Sequence, residues 1–182
     1  EKDDDQKEKD DDQKEKDDDQ KETDDDSEEL DVTITTSNDT DFEARQMFNN
    51  NGLWGAHVYS NIDGNYEGQT TLNNIKGEWI QFSFNKHVKY TVYKITDRTP
   101  AKNFPYYKQA PRAWKLLAKK NKSDSVWIEI DSQERREWSQ TKIDQQSFTI
   151  KKPGEYSVYA IIFTQNNKYS GGGLAITNIS FS

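Results

Sequence analysis

Cysteine is absent from the 182 residues, and methionine (1), histidine (2) and proline (4) are scarce. Without cysteine there is no disulfide framework, no thiol nucleophile and no cysteine-based zinc site. The two histidines, His57 and His87, lie in unrelated segments with no HExxH-like cluster around them, which removes the usual histidine metal motifs. No run of 18 apolar residues occurs, so no membrane-spanning segment is expected. No apolar stretch follows a basic start, so no secretory signal is visible. With the missing cysteine this leans towards an intracellular setting, but cysteine-free secreted modules exist and the location stays open. The sequence has no G-x-S-x-G, no P-loop and no G-x-G-x-x-G, and the Gly171–Gly173 run leads into a strand-like segment, not a helix. The 15 carboxylates beyond residue 29 always permit some pair at a glycosidase spacing, but sequence does not place one. No catalytic residue and no cofactor are therefore expected.

Charge is what the chain has in quantity, and it is unevenly placed. Residues 1–29 hold 18 acidic and 6 basic side chains, a net of −12, whereas residues 30–182 hold 15 and 19, a net of +4. The acidic part is a repeat: EKDDDQK stands at 1–7, 8–14 and 15–21, followed by a decayed copy, ETDDDSEE, at 22–29. A seven-residue period suggests a coiled coil, but no position of this repeat is apolar, so no seam can be buried. Three successive aspartates repel one another and are poor helix formers. A disordered acidic tail is expected over 1–29, acting as a solvating linker or as an arm for a basic partner. Residues 30–182 are long enough for one core and are expected to form a single, monomeric folded domain.

That domain has the texture of strands. Val, Ile, Thr, Tyr, Phe and Trp recur in short runs between Asn, Asp, Gly, Pro and Lys clusters. Strands are expected at Asp31–Thr36, Trp79–Phe84, Val88–Thr96, Ala113–Ala118, Val126–Ile130, Gln146–Ile150, Tyr156–Thr164 and Leu174–Phe181. In Trp79–Phe84 apolar and polar residues alternate, the pattern of a half-buried strand, and Tyr156–Thr164 is nearly continuous apolar, the pattern of a central one. No stretch shows a clear 3.6-residue period. An all-β, antiparallel eight-stranded jelly-roll sandwich is the expected fold.

The order of motifs carries a resemblance. GEWIQFSF (Gly77–Phe84), VYKITDR (Val92–Arg98), APRAWKLLAKK (Ala110–Lys120), SVWIEIDSQ (Ser125–Gln133), QSFTI (Gln146–Ile150), YSVYAIIFTQN (Tyr156–Asn166) and LAITNISF (Leu174–Phe181) follow one another. This series resembles the coagulation factor V/VIII type C, or discoidin, domain of the galactose-binding-like superfamily, over most of residues 42–181. The resemblance implies a jelly roll with its termini close together and ligands bound by loops at the opposite end. It also implies where a structural calcium would sit. The stretch Met47-Phe48-Asn49-Asn50-Asn51 has Asn49 where relatives carry an aspartate, and Asn178 stands where they carry a late glutamate. With both carboxylates replaced by amides, Asn49 and Asn178 could offer a weak calcium site at most, and an Asn-rich loop closed by its own hydrogen bonds is the plainer reading. Arg98 matches a family arginine, Gln109 stands where an arginine is frequent, and Arg112 takes the place of a lysine.

Two further features bear on binding. Trp79, Trp114 and Trp127 sit in strand patterns and are expected in the core, whereas Trp54, Tyr59, Tyr106, Tyr107, Trp138 and Tyr169 fall in segments read as loops, where rings can stack on sugars or cover a loop's own floor. Residues 86–122 contain 11 Lys or Arg and one acid, Asp97, which suits an anionic ligand such as a phospholipid or sulfated glycan if the charges share a face. Strand alternation can equally divide them, and the acidic tail could mask them. A non-catalytic glycan-binding module is the leading expectation, with Trp54, His57, Tyr59, Arg98, Tyr107, Arg112 and Tyr169 as its ligand-binding residues. An intracellular protein-interaction adaptor and an anion binder using 86–122 are the alternatives. Nucleic acid is not an expected partner.

Overall fold

The alternation in GEWIQFSF becomes a strand with one buried face. Glu78, Ile80, Phe82 and Phe84 turn inward, while Trp79, Gln81 and Ser83 lie on the outer side, half-buried. The structure, a computed structural model, describes residues 29–50, 52–98, 104–134 and 136–182. The tail expected to be disordered lies, but for residue 29, outside the described residues, as do Asn51 and Lys102.

In chain order the elements are β1 (Val32–Thr36), α1 (Asp41–Phe48), β2 (Trp54–Ala56), β3 (Thr71–Leu72), β4 (Ile75–Lys76), β5 (Glu78–Lys89) and β6 (Val92–Asp97). A 3-10 turn (Tyr106–Gln109) then leads to β7 (Pro111–Lys119), β8 (Ile128–Gln133), β9 (Gln145–Thr149), β10 (Glu155–Asn166) and β11 (Leu174–Phe181). Two antiparallel sheets face each other, one in the order β1-β5-β10-β7-β8 and the other β2-β11-β6-β9, with β3 and β4 forming a small hairpin. The continuous apolar run of β10 is central as its pattern requires, paired with β5 on one side and β7 on the other.

Seven of the eight expected strands are present, whereas Val88–Thr96 is not one strand: Val88 and Lys89 end β5, the chain turns at Tyr90 and Thr91, and β6 begins at Val92; the additions are short. Helix α1 buries only Ala44 and Met47, too few positions to reveal a period. Strand β2 has three residues and pairs Trp54 with Ile176 and Ala56 with Leu174. The inner faces meet in an aromatic core in which Trp114 and Tyr93 pack on Phe148 at 5.0 and 5.1 Å, and Phe82 on Phe181 at 5.2 Å. A polar knot is closed inside it. The Tyr93 hydroxyl donates to Asp131 Oδ2 (2.8 Å) and accepts from Trp114 Nε1 (2.9 Å), Gln133 Nε2 donates to the same Asp131 oxygen, and Lys151 reaches Asp131 Oδ1 at 3.1 Å. Burial pushes the Tyr93 hydroxyl pKa far above its ordinary value. Trp79 and Trp127 are not core residues: both are only half-buried, and Lys119 lies over the Trp127 ring at 4.8 Å.

The sandwich has two unlike ends. At one, β1 enters beside Phe84 and the chain closes with Ser182 hydrogen-bonded to Val92; the β5–β6, β7–β8 and β9–β10 turns lie there too. The other end gathers the described parts of the long connections, 37–50, 52–77, 104–110, 136–144 and 167–173. This division also separates the basic segment, so residues 86–122 do not form one surface. Lys86, Lys89, Lys119, Lys120 and Lys122 lie towards the terminus end, and Arg98, Lys108 and Arg112 towards the loop end. Arg112 and Lys119 stand seven residues apart on β7, roughly 23 Å along an extended strand and beyond the Debye length at physiological salt. Between the ends, Lys115 is paired with Glu129 at 2.7 Å.

Candidate ligand-binding site

Three connections converge at the loop end, and their meeting point is Gly173. A Cβ placed there would come within 3.0 Å of Gln109 Nε2, 3.2 Å of His57 Nδ1 and 3.3 Å of a Tyr169 ring carbon. Side chains from the segments after β2, around the 3-10 turn and before β11 thus close over one glycine. Gln109 is buried and accepts from Arg98 Nη1 at 3.1 Å. The Arg98 guanidinium lies 3.7 Å from the Tyr106 ring centre, and Tyr106 in turn packs on Phe104. One Arg98 N–H is spent on Gln109, and a guanidinium has five.

The backbone behind this group is tied down. Asn166, fully buried at the end of β10, donates to the Gly173 carbonyl (2.7 Å) and accepts from the Lys168 amide (2.9 Å). Asn167 donates through its amide N–H to Ala110 O and through its side chain to Tyr107 O. Gly172 takes φ +66, and its carbonyl accepts from the Tyr59 amide at 3.1 Å. Any side chain there would start 2.6 Å from Tyr59 O, so only glycine lets the two loops touch.

Two depressions flank the 167–171 segment. One, of about 410 Å³, is lined by His57, Val58, Tyr59, Asn61, Glu67 and Ser170 together with Gly171 and Gly172. The other, of about 310 Å³, is lined by Tyr107, Lys108, Glu137, Trp138, Gln140, Asn167 and Lys168. Both offer polar groups and ring edges at an open rim, which suits a hydroxyl-rich ligand better than an apolar one. The floor of the first is held by a buried carboxylate. Glu78 accepts from the Tyr66 hydroxyl at 2.8 Å and from the Ser37 hydroxyl, and Tyr66 meets the Tyr59 ring edge-on at 5.4 Å.

Of the expected binding residues, His57, Arg98 and Tyr169 belong to the Gly173 group. Tyr107 lines the second depression, and Arg112 sits at the start of β7, where its carbonyl accepts from the Arg136 amide. Trp54 and Tyr59 require correction as stacking platforms. Trp54 is fully buried against Phe163, with Nε1 donating to Thr40 Oγ1 at 2.8 Å, because NGLWGAHVYS contains strand β2. Tyr59 is 4% exposed and its hydroxyl donates to Phe163 O, and burial raises its pKa well above the ordinary tyrosine value. Trp138 is likewise buried, donating to Pro111 O.

The stretch around Asn49 and its partner Asn178 form an Asn-rich loop closed by its own hydrogen bonds. Asn49 is the residue that ends α1, its amide donating to Arg45 O, and Asn50 follows with φ 62 in the left-handed conformation asparagine tolerates. Asn178 Nδ2 donates to Asn50 Oδ1 (2.7 Å) and Met47 O (3.4 Å). Asn50 Oδ1 and Met47 O thus each face an N–H donor, and among the described residues no cluster of three or more His, Cys, Asp or Glu could hold a metal.

One carboxyl beside the site is out of place for an acid. Asp97, fully buried at the end of β6, accepts from the Asp144 amide at 2.8 Å while its second oxygen has no partner. Burial pushes its pKa up to about 6.

Two antiparallel sheets, with the termini at one end and convergent loops at the other, give this chain a discoidin-like β-sandwich fold, as the motif order implied. Solved structures share the fold. A family 32 carbohydrate-binding module of AlyQ, in complex with 4,5-unsaturated mannuronic acid, superposes with a TM-score of 0.53 at 13% identity, covering 82% of this chain and 92% of its own. The F5/8 type C domain of a Bacteroides fragilis protein gives 0.52 at 13% identity, over 84% and 90%. The family 32 module of NanJ from Clostridium perfringens, in complex with galactose, gives 0.50 at 14% identity, over 84% and 92%. No family model and no curated protein matches the chain by sequence. Among the described residues no helix is long and apolar enough to cross a membrane.

Proposed function

We propose that the protein is a non-catalytic carbohydrate-binding module whose loop end holds a sugar over the Gly173 group. The observation that carries this reading is the convergence of His57, Gln109 and Tyr169 from three separate connections onto one glycine. Tyr169 offers a ring to a sugar face, His57 offers hydrogen bonds, and Arg98, anchored on the buried Gln109 and held flat on Tyr106, presents its remaining N–H groups to hydroxyl or carboxylate oxygens. Asn61, Glu67 and Ser170 add polar groups along the neighbouring depression. Support also comes from the neighbours in complex with galactose and with an unsaturated uronic acid, which share the fold at low identity.

The test is a glycan array with the full chain, spanning neutral galactosides and acidic uronate oligosaccharides, followed by calorimetric titration of the best ligand. His57→Ala and Tyr169→Ala should each weaken binding about tenfold or more, the loss of roughly 1.4 kcal/mol. Silence across the array, or a ligand whose affinity neither substitution changes, would refute the assignment.

A further inference from the structure

The terminus end carries a second surface, made by the turns that follow β5 and β7. A groove of about 260 Å³ is lined by Phe84, Asn85, Lys86, His87, Asn121, Lys122 and Ser157. Its two walls are joined by the contact of His87 Nε2 with Asn121 Oδ1 at 3.2 Å, and Lys119 Nζ donates to Lys122 O at 3.1 Å, so a third ammonium stands at its rim. Lys120, exposed, accepts through its carbonyl from the Ser157 amide. The carboxylates nearby are few: Asp124 is engaged by Asn121 through its amide N–H at 2.8 Å, Glu155 pairs with Lys89 in register, and Asp31 sits beside Asn85.

The acidic repeat starts at this groove. Asn85, one of the lining residues, donates through Nδ2 to the Glu29 carbonyl at 3.0 Å and through its side-chain oxygen holds the Asp31 amide at 3.1 Å. The chain N-terminal to residue 29 therefore leaves from the lip of a lysine-lined groove, and residues 1–29 carry a net of −12. The aspartates come as triplets at 24–26, 17–19, 10–12 and 3–5. The first triplet begins three residues from the Asn85 clamp, within roughly 10 Å of extended chain, and the others follow at seven-residue steps. A tether this short holds the triplets at an effective concentration on the order of millimolar, so contacts individually weak are repeatedly available.

We infer that the acidic repeat is the occupant of this groove: its aspartate triplets exchange over Lys86, Lys122 and the neighbouring Lys119 and Lys120, as a tethered polyanion covering the domain's own basic surface. This surface lies at the end of the sandwich away from the Gly173 group, so the inference stands whether or not a sugar binds there. The seven-residue period then supplies successive equivalent anionic groups, and no single bound register is required.

The cysteine-free sequence makes the test direct. Gln13→Cys in the full chain, carrying a nitroxide, places one spin label 16 residues from the clamp. A neutral flexible tether of that length spans roughly 20–24 Å root-mean-square and broadens nearby amide resonances without charge dependence. If the groove is occupied, broadening at Lys86, His87, Asn121 and Lys122 should exceed that of His57 and Tyr169. It should fall at least about twofold between about 0.01 M and about 1 M salt, as the Debye length drops from roughly 30 to roughly 3 Å. The same loss should follow replacement of Asp10–Asp12 and Asp17–Asp19 by asparagine, and replacement of Lys119 and Lys122 by glutamine, neither of which touches the core. Broadening that salt and both sets of substitutions leave unchanged would overturn the inference. So would a groove that stays unbroadened in the wild-type sequence at low salt.

Discussion

Asp97 should make the folded state lose stability as pH rises, and Asp97→Asn should remove that loss. Its carboxyl is held at about 6 against the ordinary aspartate value of 3.8, chiefly by burial, with the Asp144 amide working against the shift and the Asp144 charge adding to it. Between about pH 4 and 6 the folded chain therefore binds a proton that the unfolded chain has released. Folding stability falls with rising pH across that window, and the whole penalty is present above it. A shift of about 2 units is about 3 kcal/mol, and screening at the sheet rim reduces the expected change to about 2 kcal/mol. Asparagine keeps the oxygen that accepts from the Asp144 amide, and its N–H₂ replaces the oxygen that has no partner. That replacement adds an offset that does not vary with pH. Urea unfolding followed by tryptophan fluorescence at pH 4, 5, 6 and 7 reads both chains. The wild-type chain should lose about 2 kcal/mol relative to the variant between pH 4 and pH 7. A difference constant across the series would refute the reasoning.

Trp54→Ala should cost about 3–5 kcal/mol in the same assay, because it empties a fully buried site between Thr40 and Phe163. Tyr93→Phe should cost about 2–4 kcal/mol, since it leaves Trp114 Nε1 without an acceptor and takes one donor from Asp131. Gly172→Ala should lose roughly 1–2 kcal/mol from its left-handed backbone alone. The added methyl also meets Tyr59 O, so sugar affinity should fall with stability, and titration and denaturation on one sample would show both.

The sandwich was legible because its strands obey simple periods over enough residues. Val158 to Phe163 has no polar interruption and Ile80 to Phe84 alternates cleanly, and both sit where those patterns place them. Helix α1 and strand β2 were not legible, since eight residues with two buried positions and three residues in all fall below what a period can show. Reading Trp54 as a loop ring followed from missing β2, whereas Tyr59 does lie in a connection and turns its ring inward to reach Phe163 O. The site was legible in part. His57, Arg98 and Tyr169 could be named, but nothing in the sequence tells that Gln109, noted only as a departure from arginine, is the buried hinge between Arg98 and His57. That relation exists only once Gly173 brings three distant segments together. The basic segment, whose charges the sequence left either shared or divided, is divided by position along β7, which carries residues near in sequence to opposite ends of the molecule.

The placement of Glu29 and Ser182 at one end of the sandwich has a mechanical consequence. Tension applied between Glu29 and Ser182 acts across the strands, not along them. Since β1 and β11 belong to different sheets, that tension lifts the start of β1 away from its sheet and loads the β1–β5 pairs one after another. Strand β1 is at the sheet edge and joined only to β5, through five registered residues starting at Val32. It is the first to peel, opening like a zip from Val32 towards Thr36, while β11, bonded on both flanks, holds longer. A domain pulled through Glu29 and Ser182 would therefore yield at low force with the loops around Gly173 still intact, since those loops lie at the end where the peeling arrives last.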